Sequence, residues 1–444
     1  NMNLLKGLFL RNRLFAALGA VIVLFILSGT FTVLFFAAQV ALAMVLLAVL
    51  VEALMLFGTI RGINSNRATP GRLSNGDDNE IKVYIENRYQ YSVKLEVVDE
   101  IPHQFQRRDL SFKLPLAPGT DTVLTYQLKP VERGEYSFGS LNIFATTIIG
   151  LISRRYQFDN EKMVAVYPSY LQMRKYELLA FSNRLSDYGL KKIRRLGHSM
   201  EFEKIREYVK GDDYRTVNWK ASARKNQLMV NQYQDEKSQH IYAVIDKSRL
   251  MKMPFDGLTL LDYAINAALV ISNIAIKKGD KAGLISFSEK VNTLVPAESR
   301  FTQMNKIQEA LYREKTQFLD ANYEMLSNTM LRKLQQRSMV LLFTNFESLV
   351  SMRRQLKYIK AIAAKHLVVV IFFENTEVKQ LLTEPAADTE VIYQKTIAEK
   401  FAYEKRQIVK ELKQNGIYSV LTPPQQLTVN TINKYLELKG RDAV

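Results

Sequence analysis

The stretch "IYAVIDKSRLM", residues 241–251, decides how the C-terminal half of this chain should fold. Five apolar residues are followed at once by Asp246, Lys247 and Ser248, which is typical of a buried strand that ends in a polar loop. An acidic residue at the carboxyl end of such a strand lies where open α/β sheets bind ligands, including metal ions. Asp246 and Ser248 offer two oxygen ligands, whereas Leu250 stands where a third would be needed.

Apolar runs of the same kind recur along the last two hundred residues. They are "AGLISF" (282–287), "MVLLF" (339–343), "LVVVIFF" (367–373) and "YSVL" (418–421). Helix-like segments separate them, and this alternation predicts a parallel sheet covered on both faces, a doubly wound α/β domain over 238–444. Thr344 and Asn345 follow "MVLLF" at the same predicted sheet edge as Asp246. The alternative is that these polar residues only cap the loops or helices that follow.

Residues 75–168 have a different pattern. In "EIKVYIENRYQYSVKLEVVDEIP" (80–102), apolar side chains such as Ile81, Val83 and Ile85 alternate with polar ones. Alternation with a period of two over short runs predicts antiparallel strands with one buried face. We therefore expect a β-sandwich-like domain here, and no residue in it indicates catalysis.

Near the N-terminus, residues 14–60 are apolar almost without interruption, with Gln39 and Glu52 as the main exceptions. One helix of this length would be about 70 Å long, against a hydrocarbon core of about 30 Å. The run therefore predicts two membrane spans, near 14–36 and 39–60. Glu52 lies in the second span, where a carboxylate either serves a function or packs against a neighbour.

The orientation of this transmembrane hairpin, residues 1–61 with basic flanks, follows from the charges around it. Lysine and arginine residues stand on both sides of the apolar run, at Lys6, Arg11, Arg13, Arg61, Arg67 and Arg72. Because cytoplasmic flanks are enriched in basic residues, both ends of the hairpin and the large C-terminal part are expected to be cytoplasmic.

The net charge of +17 favours an anionic neighbour: a membrane surface, an acidic protein or nucleic acid. The basic runs "KKIRRLG" (191–197) and "SMRRQLKYIK" (351–360) would suit nucleic acid, but an anionic membrane leaflet explains the same charge. The chain has no cysteine, and its four histidines form no metal-binding pair. Phosphate-binding and serine-nucleophile motifs do not occur in the sequence, so we do not expect an enzyme.

A connecting segment, 169–237, joins the two soluble domains. It contains "REYVKGDDYRTVNWKASARKNQLMVNQY", residues 206–233, with the only tryptophan of the chain. Physical reasoning predicts a chain turn at Gly211 and a buried anchor at Trp219, between the β domain and the α/β domain. The basic residues Arg215, Lys220 and Arg224 are candidate ion-pair partners for the acids Glu207, Asp212 and Asp213.

The same stretch resembles the signature of the bacterial domain of unknown function 58 family. The residues that carry the resemblance are Arg206, Tyr208, Gly211, Asp212, Asp213, Arg215, Trp219, Ala223 and Arg224. The resemblance implies a transmembrane pair in the bacterial inner membrane, a β-rich region and a von Willebrand factor A-like domain. It also implies a MoxR-type AAA+ ATPase as partner.

The von Willebrand factor A resemblance implies a metal-ion-dependent adhesion site built on Asp-x-Ser-x-Ser, a distant Thr and a later Asp. Asp246, Ser248 and Thr344 match this pattern, whereas Leu250 and Asn345 depart from it. Losing one anionic ligand and one hydroxyl weakens magnesium binding. We therefore expect no cofactor, with magnesium as the only candidate, and a docking or loop-forming role for Asp246.

Together these features predict a membrane-anchored scaffold or adaptor that works with a MoxR-type AAA+ ATPase on the assembly or remodelling of a protein client. The lipid bilayer and an unknown client are the other expected partners, and nucleic acid is not expected. Two alternatives stay open: a basic inner-membrane protein that binds nucleic acid, and a metal-dependent adhesion-type binding module.

Overall fold

A computed structural model of the chain describes residues 7–29, 31–107, 110–181, 201–210, 212–234, 238–300, 302–316, 318–383 and 389–441. The chain forms two compact units, Asn1–Tyr167 and Pro168–Val444. The basic run 191–197 and Gly211 lie outside the described residues.

The described α-helices are α1 (Asn12–Leu27), α2 (Thr32–Gly58), α3 (Tyr170–Phe181), α4 (Trp219–Lys225), α5 (Leu260–Lys277), α6 (Thr302–Arg313), α7 (Tyr323–Lys333), α8 (Leu349–Ala363), α9 (Thr376–Thr383), α10 (Thr389–Gln414) and α11 (Leu427–Lys439). The strands of the first unit are β1 (Leu8–Leu10), β2 (Ile63–Ala68), β3 (Arg72–Ser74), β4 (Asn79–Asn87), β5 (Val93–Asp99), β6 (Ser111–Leu116), β7 (Asp121–Leu128), β8 (Gly134–Phe138), β9 (Leu141–Thr146), β10 (Ile152–Phe158) and β11 (Lys162–Tyr167). Those of the second unit are β12 (Glu201–Glu207), β13 (Met229–Gln234), β14 (His240–Asp246), β15 (Pro254–Phe255), β16 (Leu258–Thr259), β17 (Lys281–Phe287), β18 (Val291–Glu298), β19 (Ser338–Phe343), β20 (Leu367–Phe373) and β21 (Tyr418–Thr422).

The long apolar run of the sequence forms α1 and α2. Two described helices are long and apolar enough to cross a membrane, α2 over Leu34–Gly58 and the core helix α5. Only 11% of the apolar window in α2 is buried, against 83% in α5, so α2 is the candidate span, and α1 is a shorter apolar helix. The first helix ends at Leu27 and the second begins at Thr32, so the turn between them includes Ser28 and Gly29. The predicted turn between 36 and 39 is wrong, because the helix already ends at these two small residues.

The C-terminal end of α2 is bound into the β-rich region through Glu52. This side chain is fully buried, and its carboxylate accepts a hydrogen bond of 2.5 Å from the Thr147 hydroxyl. The backbone N–H groups of Gly150, Leu151 and Ile152 donate to the same carboxylate over 3.1, 2.9 and 3.2 Å. Three convergent amides make a typical anion-binding concavity, so Glu52 packs the helix against a neighbour, one of its two predicted roles.

Other side chains satisfy the carbonyl groups at the end of α2. Arg154 donates to the carbonyl oxygens of Leu56 and Thr59 over 2.6 and 2.7 Å. Tyr89 also donates to the Leu56 carbonyl, over 2.7 Å. The last carbonyls of a helix have no partner within the helix, and here the β-rich region supplies partners for them.

The β-rich region is sandwich-like and contains three sheets with the strand orders β1-β10-β9-β5-β6, β2-β4-β7 and β3-β11-β8. Along β4 the predicted alternation is present, with Ile81, Val83 and Ile85 buried between exposed neighbours. The sheets begin before the predicted start at residue 75, because β2 and β3 pair with β4 and β11. The short strand β1 also pairs with β10, so residues on both sides of the helical pair belong to this region.

Arg67 was assigned from the sequence to the basic flank of the membrane hairpin, but the structure buries it. Its guanidinium pairs with Asp99, donates to the Gly139 carbonyl over 2.8 Å and lies 4.9 Å from the centre of the Phe138 ring. Arg67 therefore belongs to the interior of the β-rich region and not to a membrane-facing flank.

The second unit is built on a sheet with the strand order β18-β17-β14-β19-β20-β21. Neighbouring strands are parallel except for the edge strand β18, which is antiparallel to β17. Helices α5, α6 and α11 pack on one face and α7, α8 and α10 on the other. The apolar strands predicted from the sequence are present, because strands buried on both faces are apolar throughout.

Counted from β14, the strands lie in the order 3-2-1-4-5-6, and the direction of chain progression reverses between β14 and β19. In doubly wound sheets the loops diverge at this point and leave a crevice at the carboxyl ends of the strands. Asp246 ends β14, and Thr344 follows β19 directly. The topology therefore places the predicted polar residues at the usual ligand-binding edge.

Candidate functional site

Asp246 and Thr344 are in direct contact at the carboxyl ends of β14 and β19. The parallel register pairs Ile245 with Phe343, so the next residue of each strand lies side by side. The Thr344 hydroxyl donates to Asp246 Oδ2 over 2.7 Å, and the backbone N–H of Ser248 donates to Oδ1 over 2.8 Å. Both carboxylate oxygens are thus engaged within the protein.

Tyr323, from the start of α7, extends this hydrogen-bond chain. Its hydroxyl is 2.6 Å from the Thr344 hydroxyl, and it donates because the Thr344 proton is already directed at Asp246. Burial raises the pKa of the Asp246 carboxyl, and the hydrogen bonds from Ser248 and Thr344 oppose that rise. Burial and the Asp246 charge raise the pKa of Tyr323 well above its ordinary value, so the phenol stays protonated.

Asn345, the residue that replaces the expected aspartate, is bound by a lysine. Lys405 of α10 donates from Nζ to Asn345 Oδ1 over 2.8 Å and to the Phe346 carbonyl over 2.6 Å. The backbone N–H of Phe346 donates to the same Asn345 oxygen over 3.1 Å. Burial lowers the pKa of Lys405 to about 8, so the amine is mostly charged at neutral pH. The Lys405 ammonium group therefore already binds the Asn345 oxygen that a metal ion would need as a ligand.

The oxygens at this site do not fit magnesium. Magnesium requires about six oxygens in near-octahedral geometry. Both oxygens of Asp246 are engaged, the Asn345 oxygen is held by an ammonium group, and Leu250 lies in the 3₁₀ turn Arg249–Lys252 and supplies no oxygen. Ser248 Oγ is buried without a hydrogen-bond partner in the described part of the chain, but it could supply only one neutral oxygen ligand. Within the same described residues, no group of three acidic, histidine or cysteine side chains could hold a metal.

We expect that added magnesium leaves the melting temperature of the parent protein unchanged. A ligand present at 100 times its Kd would stabilise the folded state by about 2.7 kcal/mol, which thermal melting detects readily. Asp246→Ala serves as the matched variant. A chelator-reversible rise in melting temperature in the parent, absent in the variant, would restore the adhesion-site interpretation.

A second buried polar cluster lies beside Asp246. Lys247 donates from Nζ to Glu314 Oε2 over 2.9 Å, and both side chains are less than one-tenth exposed. The hydroxyls of Ser286 and Thr293 each donate to Glu314 Oε1 over 2.6 Å. Sequence reasoning missed Glu314, Tyr323 and Lys405, because each comes from a distant element and no local pattern links it to Asp246.

The family signature forms a separate structure, the signature hairpin, which consists of β12, β13 and the described residues between them. Arg206 binds both oxygens of Asp212 over 2.9 and 2.7 Å, and this pairing lowers the pKa of the Asp212 carboxyl. The sequence had suggested Arg215, Lys220 or Arg224 as ion-pair partners. Instead the Arg215 backbone N–H donates to Asp213 Oδ1 over 3.0 Å, in a turn cap.

The prediction that Trp219 is a buried anchor is wrong. Trp219 is 72% exposed, as is Tyr214. Trp219 begins the short helix α4, which Asn218 caps by accepting from the Ala221 N–H over 3.0 Å. A two-stranded hairpin with one short helix has little interior in which an indole could be buried. Of the remaining signature residues, Ala223 and Arg224 are exposed on α4, and Tyr208 is half-buried.

The signature hairpin and most of the strand-end site fall within a region of recognised family resemblance. Residues 204–388 match the family described as "Protein of unknown function DUF58", which confirms the resemblance for this part of the chain. The chain is also similar to the "Uncharacterized protein YeaD" of Bacillus subtilis, with 28% identity over 169 residues. The match covers 38% of this chain and 40% of that relative, so it spans less than half of either protein.

Solved structures resemble about a quarter of the chain. A PapD-like domain of human CEP192 is 12% identical, with a TM-score of 0.19, and the match covers 24% of this chain and 84% of that domain. A CARDB domain from Pyrococcus furiosus is 17% identical, with a TM-score of 0.17, and the match covers 23% of this chain and 86% of that domain. For α-2-macroglobulin from Escherichia coli the identity is 19%, the TM-score 0.20 and the coverage 24% and 7%.

Proposed function

We propose that this protein is a membrane-anchored docking scaffold whose α/β unit is a von Willebrand factor A-like domain. The sheet order and the polar residues at the switch point between β14 and β19 support this proposal. In it, Asp246 shapes the strand-end surface through Thr344 and Ser248 and does not hold a metal. The anchor is α2 together with α1, in the bacterial inner membrane, with both units on the cytoplasmic side.

The observation that carries the docking role is the exposure of Trp219 and Tyr214 on a hairpin stiffened by the Arg206–Asp212 pair. Tryptophan, tyrosine and arginine are the residues that most often dominate binding energy in protein interfaces. Arg215, Lys220 and Arg224 lie close to the two aromatic residues in the sequence and are exposed, so the segment suits an acidic partner.

We propose a MoxR-type AAA+ ATPase as this partner, as the family resemblance implies. The ATPase would supply energy from nucleotide hydrolysis, and the scaffold would present an unknown client protein to it. Purification of the full-length protein from detergent, followed by mass spectrometry, tests the proposal. Recovery of an AAA+ ATPase supports it, whereas enrichment of nucleic acid instead favours the basic nucleic-acid-binding alternative.

We expect Trp219→Ala to weaken capture of the ATPase by at least about tenfold while changing stability by no more than about 0.5 kcal/mol. Phe318→Ala is the matched control, because Phe318 is also an exposed aromatic residue of the second unit, at 76% exposure. Pull-down yield and melting temperature are measured for both variants. Equal capture of the ATPase by Trp219→Ala and by the parent would show that the indole is not part of the interface.

We expect a cysteine introduced at Ser238 to resist an impermeant thiol reagent in intact cells and to react after permeabilisation. Ser238 is exposed in the second unit, and the native chain carries no cysteine. Phe31→Cys is the opposite control, since Phe31 is 65% exposed at the connection between α1 and α2 and is expected to be labelled in intact cells. Labelling at position 238 in intact cells contradicts a cytoplasmic location.

A further inference from the structure

A cavity of about 660 Å³ lies where α1 begins, against the sheet that contains β5, β6 and β9. Its walls include Arg11 and Arg13 at the start of the helix, Lys94 on β5 and Lys113 on β6. Glu96 is the one carboxylate among the residues that line it. Four cations and one carboxylate give the lining a net charge of +3, so the cavity favours an anion.

The single carboxylate does not neutralise these cations. Arg11 donates to Glu96 Oε2 over 2.8 Å, whereas Lys113 Nζ is 4.0 Å from Glu96 Oε1. Arg13 donates to the Ile149 carbonyl over 3.1 Å. Because a carbonyl group is neutral, this hydrogen bond does not offset the positive charge of Arg13. Among the described residues, Lys94 has no ion-pair or hydrogen-bond partner for its ammonium group. Three cations are thus available to a negatively charged group.

Several of the other residues that line the cavity are apolar and exposed. Phe9 and Leu10, which precede α1, are 39% and 52% exposed, and Ile148 is 73% exposed. Ile148 lies in the loop that Glu52 of α2 holds in place through Thr147 and Gly150. A cavity that joins cations to exposed apolar side chains suits a ligand with an anionic head and a hydrocarbon tail.

From this arrangement we propose that the cavity binds the headgroup of an anionic phospholipid. The phosphate lies among Arg13, Lys94 and Lys113, and the start of an acyl chain lies along Leu10 and Ile148. The proposal rests on the membrane anchoring proposed above, because α1 leads from this cavity into the apolar pair of helices. Positively charged pockets at the cytoplasmic ends of membrane helices are typical binding sites for acidic lipids.

The test uses the full-length protein, purified in neutral detergent and depleted of lipid. Short-chain phosphatidylglycerol, short-chain phosphatidylcholine and inorganic phosphate are titrated separately, and binding is read from the melting temperature. The double variant Lys94→Gln/Lys113→Gln is compared with Lys82→Gln/Lys129→Gln. The second pair removes the same charge at exposed positions of the same unit that do not line the cavity.

We expect phosphatidylglycerol alone to stabilise the parent, and the cavity variant to bind it about tenfold to thirtyfold more weakly. The control variant is expected to bind like the parent, and all variants are expected to melt alike without lipid. Equal weakening in both double variants would indicate general surface attraction and overturn the site. If inorganic phosphate stabilises the parent as much as phosphatidylglycerol does, the cavity binds a soluble anion and not a lipid. If phosphatidylcholine stabilises it equally, binding does not depend on the negative charge of the lipid, and the proposal fails.

The lipid titration contains no partner protein and no membrane potential. Failure to recover an ATPase therefore refutes the docking proposal and leaves the lipid result unchanged. If the parent does not bind phosphatidylglycerol, the cavity assignment is refuted, and the result for ATPase capture is not affected.

Discussion

Glu52→Ala is expected to destabilise the first unit by about 3–5 kcal/mol. The substitution removes the acceptor for the Thr147 hydroxyl and for three backbone N–H groups, at Gly150, Leu151 and Ile152. Each buried donor left without an acceptor costs about 1–3 kcal/mol, and water that enters the space recovers part of the loss. Melting of the full-length protein in detergent, with hydrogen exchange at residues 147–152, measures the effect.

Two further variants sharpen this prediction. Glu52→Gln keeps the size of the side chain but turns an amide NH₂ toward groups that are themselves donors, so it is expected to lose about half as much stability. Glu80→Ala is the control, because Glu80 forms only an exposed pair with Lys82 and is worth no more than about 0.5 kcal/mol. If the Glu52→Ala and Glu80→Ala proteins have the same melting temperature, the Glu52 carboxylate does not fix α2 to the β-rich region.

The second large effect is expected for Glu314→Ala in the second unit, also about 3–5 kcal/mol. The variant leaves the Lys247 ammonium group buried without its carboxylate and removes the acceptor of the Ser286 and Thr293 hydroxyls. Chemical denaturation measures the loss. Because Lys247 is adjacent to Asp246, ATPase capture is expected to fall as well.

A double replacement separates the charge effect from loss of packing. Lys247→Met/Glu314→Leu removes both charges together and is expected to recover part of the stability, since apolar replacement of a buried pair is often tolerated. Glu309→Ala is the control, because the pair that Glu309 forms with Arg313 is exposed to solvent. A Glu314→Ala protein as stable as Glu309→Ala would show that the buried pair contributes nothing.

The α/β unit was predictable because its physical signal is local. Strands buried on both faces must be apolar, and parallel strands end at one edge, which places Asp246 near Thr344. Lys405 and Glu314 were not predictable, because each reaches the site from an element far along the chain. Their positions depend on helix packing, which a single sequence does not encode in any short pattern.

Two sequence interpretations failed for different reasons. The connection between α1 and α2 falls at Ser28 and Gly29, whereas the sequence interpretation divided the run by its length and placed the turn between 36 and 39. Trp219 was predicted to be a buried anchor between the two soluble domains because large aromatic residues are usually buried. In the signature hairpin it is exposed instead, as is Tyr214, because a two-stranded hairpin has little interior in which to bury an indole.

The attachment of α2 to the β-rich region has a mechanical consequence. From Glu52 onward the helix is held by side chains and amides of the sheets, including Arg154 and Tyr89. The part that precedes this attachment, Thr32 to Val51, is about 30 Å long at about 1.5 Å per residue, which equals the thickness of a hydrocarbon core. In the proposed membrane setting there is no flexible linker between bilayer and sheets, so a tilt of α2 becomes a tilt of the whole first unit. A change in bilayer thickness would then act on this protein as a torque.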